Sequence, residues 1–313
     1  MILGQLMGGL GNQLFQIFTT IAYSMKHNHK FIFPYSKKLG ERNTYWDNFL
    51  LTLYSFTSAN SKNQISPETM KRCIVYKEPN FHYNQIPAFD SSEIVALSGY
   101  FQSYKYFENE RDTICNMMRM ESGLTSTRYE FTKYLDFDGE IICMHFRLGD
   151  YVNLPLYHPI MQYQYYESAL AYIVSVSQQS GASQSVSVGE RLNSVAFGTE
   201  AKEFDNSVKM RVLYFCEETD NEIVYETIQK LKQKFENIEF VKVDDTIIDW
   251  KQMLIMSCCN HNIIANSSFS WWGAYFNQHA DKIVCYPSKW FGQNLSKNDT
   301  SDMCPEIWHK IDC

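Results

Sequence analysis

Apolar residues near the start of the chain fall into two rhythms. A short apolar run opens it, a glycine-rich turn follows, and in Asn12–Lys26 the residues Leu14, Phe15, Ile17, Phe18, Ile21, Ala22 and Met25 recur along one helical face. Strand, tight turn and helix in that order open most α/β nucleotide-binding folds. Residues 27–90 are mixed, with Lys30–Pro34 reading as a strand. Glu93–Gln102 reads as a buried strand running into a loop, and Tyr104–Met120 as a helix. A second block begins near Gly139. There Glu140–Arg147 is a strand ending in polar residues, and Tyr163–Ser175 is a helix.

The stretch Gln178–Met210 breaks the pattern. Its first half is rich in Ser, Gln and Gly, with little capacity to form a core, and it reads as a surface insertion. Alternation then resumes: strand Val212–Cys216, helix Asn221–Phe235, strand Ile238–Val243, helix Trp250–Cys258, strand His261–Ala265, helix Ser270–Gln278 and a last strand Lys282–Tyr286. Repeated strand–helix alternation predicts a parallel sheet covered on both faces, and no internal repeat is present beyond it.

Composition narrows the classes. The 313 residues suffice for two domains, and 45% hydrophobic with 20% charged residues is the make-up of a globular protein with a core. A net charge of −7 offers no basic footprint and argues against a nucleic-acid partner, so any phosphate chemistry must rest on local cations and backbone amides. The 9 cysteines form no Cys-x-x-Cys pair and read as reduced thiols of a cytosolic protein. Neither a signal peptide nor a run of about 18 apolar residues is present. A soluble, cytoplasmic protein is expected, with peripheral membrane association left open.

Three segments carry candidate chemistry. The strand ending in His145-Phe-Arg-Leu-Gly-Asp150 places His145, Arg147 and Asp150 where open α/β sheets bind ligands, beyond a strand's carboxyl end. Arginine presents a planar fork matched to phosphate oxygens. The competing reading is an Arg147–Asp150 ion pair that ties a loop. In the second segment, Ala265-Asn-Ser-Ser-Phe-Ser-Trp-Trp-Gly-Ala274, small polar residues lie between strand and helix. There Ser267, Ser268 or Ser270 can cap the helix and its free amides can meet an anion. Plain capping competes, and Trp271-Trp272 reads as packing. The third is Gly8-Gly-Leu-Gly-Asn-Gln-Leu-Phe-Gln16. Leu14 stands where a dinucleotide loop needs a small residue, yet the turn can bring Gly11, Asn12 and Gln13 to a ligand. A bare structural turn competes here too. No metal-ligand spacing, P-loop or Ser-His-Asp arrangement is visible.

Together with Leu97-Ser-Gly-Tyr-Phe-Gln-Ser103, these collinear segments resemble glycosyltransferase family 11, the α-1,2-fucosyltransferases, over nearly the whole chain. The resemblance implies an α/β fold of GT-B type, two Rossmann-like domains facing a central cleft. The N-terminal domain (1–136) lies on the acceptor side, the C-terminal one (137–300) holds the GDP-sugar, and 301–313 form a tail. It implies inverting, metal-independent transfer of L-fucose from GDP-fucose to the 2-hydroxyl of a galactose-containing glycan, with no cofactor beyond the donor. By that likeness Arg147 contacts the diphosphate, Asn266, Ser267, Ser268, Phe269 and Ser270 cradle phosphate, and Asn12 faces the donor from the other domain. Asp150 and His145 are the candidates for the base that takes the acceptor proton. One departure is Tyr214-Phe-Cys-Glu-Glu-Thr219, where relatives often carry Ser-Asp-Asp after the Phe. A GDP-sugar transferase of other linkage and an inactive sugar-nucleotide-binding module are the alternatives.

Overall fold

The computed structural model describes residues 1–64, 66–182 and 209–313, so most of the 178–210 insertion lies outside the described residues. Two parallel sheets organise the chain. In the first half, β1 (Ile2–Gly4), β2 (Phe31–Ile32), β5 (Ile74–Lys77) and β6 (Val95–Ser98) form a four-stranded sheet ordered β2-β1-β6-β5. The strands β3 (Lys38–Leu39) and β4 (Arg42–Asn43) form a separate antiparallel hairpin. The second half supplies β7 (Glu140–His145), β8 (Met210–Phe215), β9 (Ile238–Lys242), β10 (His261–Ile263), β11 (Val284–Pro287) and β12 (His309–Ile311). Their order is β12-β11-β10-β7-β8-β9, with every neighbouring pair parallel. Numbered from β7, that is the 3-2-1-4-5-6 order of doubly wound dinucleotide-binding sheets. The order reverses between β7 and β10, and there a crevice opens at the carboxyl ends of the strands.

Nine helices are described: α1 (Leu10–Lys26), α2 (Pro67–Lys71), α3 (Arg111–Met117), α4 (Met120–Glu130), α5 (Thr132–Leu135), α6 (Tyr163–Ala182), α7 (Asn221–Lys234), α8 (Asp249–Cys258) and α9 (Ser268–Phe276). Local chemistry accounts for the two that matter most. Helix α1 begins two residues before the expected start, and its side chains from Gln13 to Ser24 are all buried. Helix α9 starts on Ser267, whose hydroxyl accepts the Phe269 amide at 3.3 Å.

These two helices join the halves. Phe15 and Phe18 of α1 pack against Trp271, Trp272 and Phe276 of α9, with the closest ring centroids 4.5 Å apart, and Phe107 completes the cluster. Trp271 and Trp272 are fully buried, in keeping with the packing expected for them. Contact is closest at Gly11, where a Cβ would lie 2.4 Å from the Ser268 carbonyl carbon. Only glycine lets the two backbones meet there.

Three expectations are adjusted. The strand expected at Lys30–Pro34 shortens to Phe31–Ile32, with Phe33 making an isolated bridge to Thr57. The helix expected over Tyr104–Met120 is a 3-10 turn at Tyr104–Tyr106 followed by α3, and Arg119 at φ 54° separates α3 from α4. This break lets Ile114, Met118, Met120 and Leu124 all reach one core. Residues 301–313, set apart as a tail, contribute β12 and the buried Trp308, which packs on Trp271 at 5.4 Å. A three-residue edge strand carries too little periodic signal to be seen without its partner.

Candidate active site

The carboxyl ends of β1, β6, β7, β8 and β10 converge on one cleft of about 790 Å³, within the range of small-ligand sites. Arg147, two residues beyond β7, is largely buried, with a 21% exposed side chain. Its two terminal nitrogens are each held by a carboxylate, Nη1 by Glu217 and Nη2 by Asp150 at 2.5 Å. The guanidinium also lies 5.1 Å above the Tyr151 ring. Burial opposes its charge, but Glu217, Asp150 and Tyr151 outweigh that, and it holds its proton more firmly than free arginine. Arg42, on the β3–β4 hairpin, reaches Asp150 at 3.6 Å from the opposite wall. Behind Arg147, the Gly149 amide donates to the buried Asp220 carboxylate at 2.9 Å, which fixes the turn.

His145 ends β7 with 7% exposure and an unpartnered buried Nδ1. Burial first, and then the Arg147 charge, push its pKa down to about 3. It is therefore neutral, and a poor proton acceptor, near neutral pH. Asp150 is half exposed and sits between two guanidiniums.

The segment after β10 forms the floor. Asn266 is 1% exposed, and its Nδ2 donates to Pro159 O at 2.9 Å and Trp290 O at 3.1 Å, tying together the loops after β7 and β11. Tyr151 donates to Asn266 O at 3.2 Å. Ser267, Ser268 and Phe269 line the cleft at the start of α9, where first-turn amides have no partner within the helix.

From the other half come Gly11 and Asn12. Asn12 Oδ1 accepts from Ser268 Oγ and from Gln102 Nε2, both at 2.7 Å, so one amide ties both sheets' switch points together. The Gly99–Gln102 loop that carries Gln102 is shaped by Glu78, whose carboxylate accepts the Tyr100 and Phe101 amides at 2.7 and 2.9 Å.

Of the residues singled out from sequence, Gly11, Asn12, His145, Arg147, Asp150, Asn266, Ser267, Ser268 and Phe269 all line this cleft. Gln13 and Ser270 do not. Gln13 is fully buried and donates to Gly8 O at 3.0 Å and Asn43 O at 2.8 Å, while Ser270 Oγ donates to Ser267 O at 3.3 Å. Both lie beneath the wall as scaffold. Sequence reasoning passed over Arg42, Glu78, Gln102 and His158. Only Gln102 stood in a quoted motif, and the others are recognisable by their partners alone. Glu217 was noticed as a departure without its partner, which is Arg147. Among the described residues, no three His, Cys, Asp or Glu side chains converge to hold a metal ion. No described helix is long and apolar enough to cross a membrane.

Residues 224–311 match the model of Glycosyl transferase family 11. The chain is 26% identical to the O-antigen biosynthesis glycosyltransferase WbnK of Escherichia coli, over 93% of this chain and 96% of that protein. It is 24% identical to an alpha-1,2-colitosyltransferase of the same organism, over 99% of each. The likeness to glycosyltransferase family 11 is therefore carried by the C-terminal part of the chain. It is also similar to the solved structure of FUT1 from Arabidopsis thaliana in complex with GDP, with a TM-score of 0.46 and 11% identity, covering 90% of this chain and 69% of that one. The chain itself has an α/β fold, with parallel sheets on both sides of the cleft.

Proposed function

We propose that the protein transfers L-fucose from GDP-β-L-fucose to the 2-hydroxyl of a terminal galactoside, with inversion and without a metal ion, in glycan biosynthesis. One observation carries this reading. Arg147 and the amino end of α9 meet at the switch point of a 3-2-1-4-5-6 sheet, and Asn12 faces them from the other sheet. Breaking the C1–O bond sends its electron pair onto the β-phosphate of GDP. A fixed guanidinium and helix-terminal amides stabilise that charge where it develops. The acceptor O2 attacks from the opposite face, forms the new C1–O2 bond and gives up its proton. Asp150 is assigned that proton, because it is half exposed on the cleft wall while His145 is buried with a pKa of about 3. Domain 137–300 is assigned to the nucleotide, and 1–136 to the acceptor side of the cleft.

The likeness to the alpha-1,2-colitosyltransferase favours a second reading, in which the sugar transferred is colitose. GDP release is measured with GDP-fucose and GDP-colitose, each with lactose, with and without EDTA. Faster release with GDP-fucose and no effect of EDTA is expected. Preference for GDP-colitose moves the assignment to the second reading, and a requirement for metal removes the metal-independent step.

A further inference from the structure

The cleft has two unlike ends. Beyond β8 and β9 it is lined by Glu217, Glu218, Asp245 and Asp249, acceptors suited to the N–H and hydroxyl donors of a nucleoside. The opposite end is aromatic. Tyr151, under the Arg147 guanidinium, stacks on His158 with centroids 4.4 Å apart and planes 17° apart. His158 lies 5.9 Å from Phe291, and Phe291 meets Phe81 edge-on at 4.8 Å. The ladder therefore starts at the proposed diphosphate site and crosses the cleft, since Phe81 comes from the first half and Phe291 from the second.

The backbone beneath these rings is braced. The Gly292 amide donates to Tyr157 O at 2.8 Å and the Asn294 amide to Leu156 O at 2.9 Å, which zips together the loops carrying His158 and Phe291. The Tyr83 amide donates to Asp302 Oδ2 at 2.8 Å, anchoring the Phe81 loop to the C-terminal segment. Phe81 and Phe291 are nonetheless only partly buried, and both line the cleft.

We propose that Phe291 and Phe81, backed by His158 and Tyr151, form the acceptor subsite, and that the terminal galactose stacks through its apolar face on the rings that Phe291 and Phe81 present to the cleft. With its 4-hydroxyl axial, galactose gathers the C3, C4 and C5 hydrogens on one face, and that face is attracted to the negative π-surface of a ring. Continuity with Arg147 places such a sugar beside the donor carbon. This inference rests on the transferase reading above for its donor, but not for the stacking itself.

The test uses GDP-loaded full-length protein and methyl β-galactoside. Saturation-transfer NMR is expected to mark the galactose C3–C5 protons. Phe291→Ala or Phe81→Ala is expected to weaken those contacts and raise the acceptor KM by about 10-fold, the scale of one lost aromatic contact. GDP affinity should stay near wild type, and Phe291→Tyr should restore the contacts. Unchanged NMR contacts and KM in both alanine variants overturn the subsite. A parallel loss of GDP affinity in folded variants also overturns it, because the rings would then hold the base. Wild-type protein that shows the NMR contacts but never transfers sugar counts against the transferase reading and leaves the subsite standing.

Discussion

Replacement of Arg147 separates the two uses the site allows it, loop-tying ion pair or diphosphate clamp. Its nitrogens meet Glu217 and Asp150, whose side chains are 52% and 48% exposed. With both carboxylates half in solvent, screening holds such pairs to about 1 kcal/mol each, so Arg147→Ala should lower stability by no more than about 2 kcal/mol. Against a diphosphate the arithmetic differs. Two hydrogen bonds to a charged group contribute about 1.5–3 kcal/mol each, or roughly 3–6 kcal/mol together. At about 1.4 kcal/mol per tenfold, that is a loss of about 10²–10⁴ in GDP affinity. The lower part of that range is expected, because the variant cleft rehydrates and the α9 amides remain. Arg147→Lys keeps the charge without the fork and should fall between wild type and alanine. Titration calorimetry with GDP, alongside thermal unfolding, reads both quantities. GDP affinity within about threefold of wild type in folded Arg147→Ala refutes the clamp, because even one such bond is worth more.

Three further substitutions probe the surroundings of Arg147 and the joint between the sheets. Glu217→Gln removes a carboxylate that competes with the diphosphate for Nη1 and should tighten GDP binding several-fold in calorimetry; weaker binding would mean that Glu217 instead positions Arg147 for the ligand. Gly11→Ala drives a methyl group to within 2.4 Å of the Ser268 carbonyl carbon, so it should cost about 1–3 kcal/mol in urea unfolding and lower activity, and a silent substitution would contradict the close joint between the sheets. His145 titrates near 6.5 in the unfolded chain and near 3 in the fold, so below pH 6.5 the unfolded state binds more protons and stability declines toward pH 3. Urea midpoints measured across that window should fall less steeply in His145→Gln; an unchanged slope would show that His145 is not held neutral.

The parts of the fold with dense local signal were legible in the sequence. The apolar run of β7, the small polar residues between β10 and α9, and the periodic face of α1 each reflect a local rule. So do nine of the candidate residues, which converge on one cleft although they come from three distant segments. What escaped depends on partners far along the chain. β12 is recognisable only beside β11, and the break at Arg119 only against the core it serves. Gln13 and Ser270 sit in the same motifs as Asn12 and Ser268 and differ only in which way their helix turns them. The ring ladder joins residues 81, 151, 158 and 291, a set with no common motif. Glu217 stood out as an exception to a resemblance, and its meaning came only with Arg147 beside it.

The most direct test of the central claim is the linkage of the product. Wild-type protein is incubated with GDP-fucose and lactose, and the trisaccharide is characterised by two-dimensional NMR. One equivalent of GDP released per fucose transferred, and an α-fucosyl residue on O2 of galactose, are the expected results. A fucosyl residue at another position, or GDP binding with no transfer to any galactoside, would contradict the central claim.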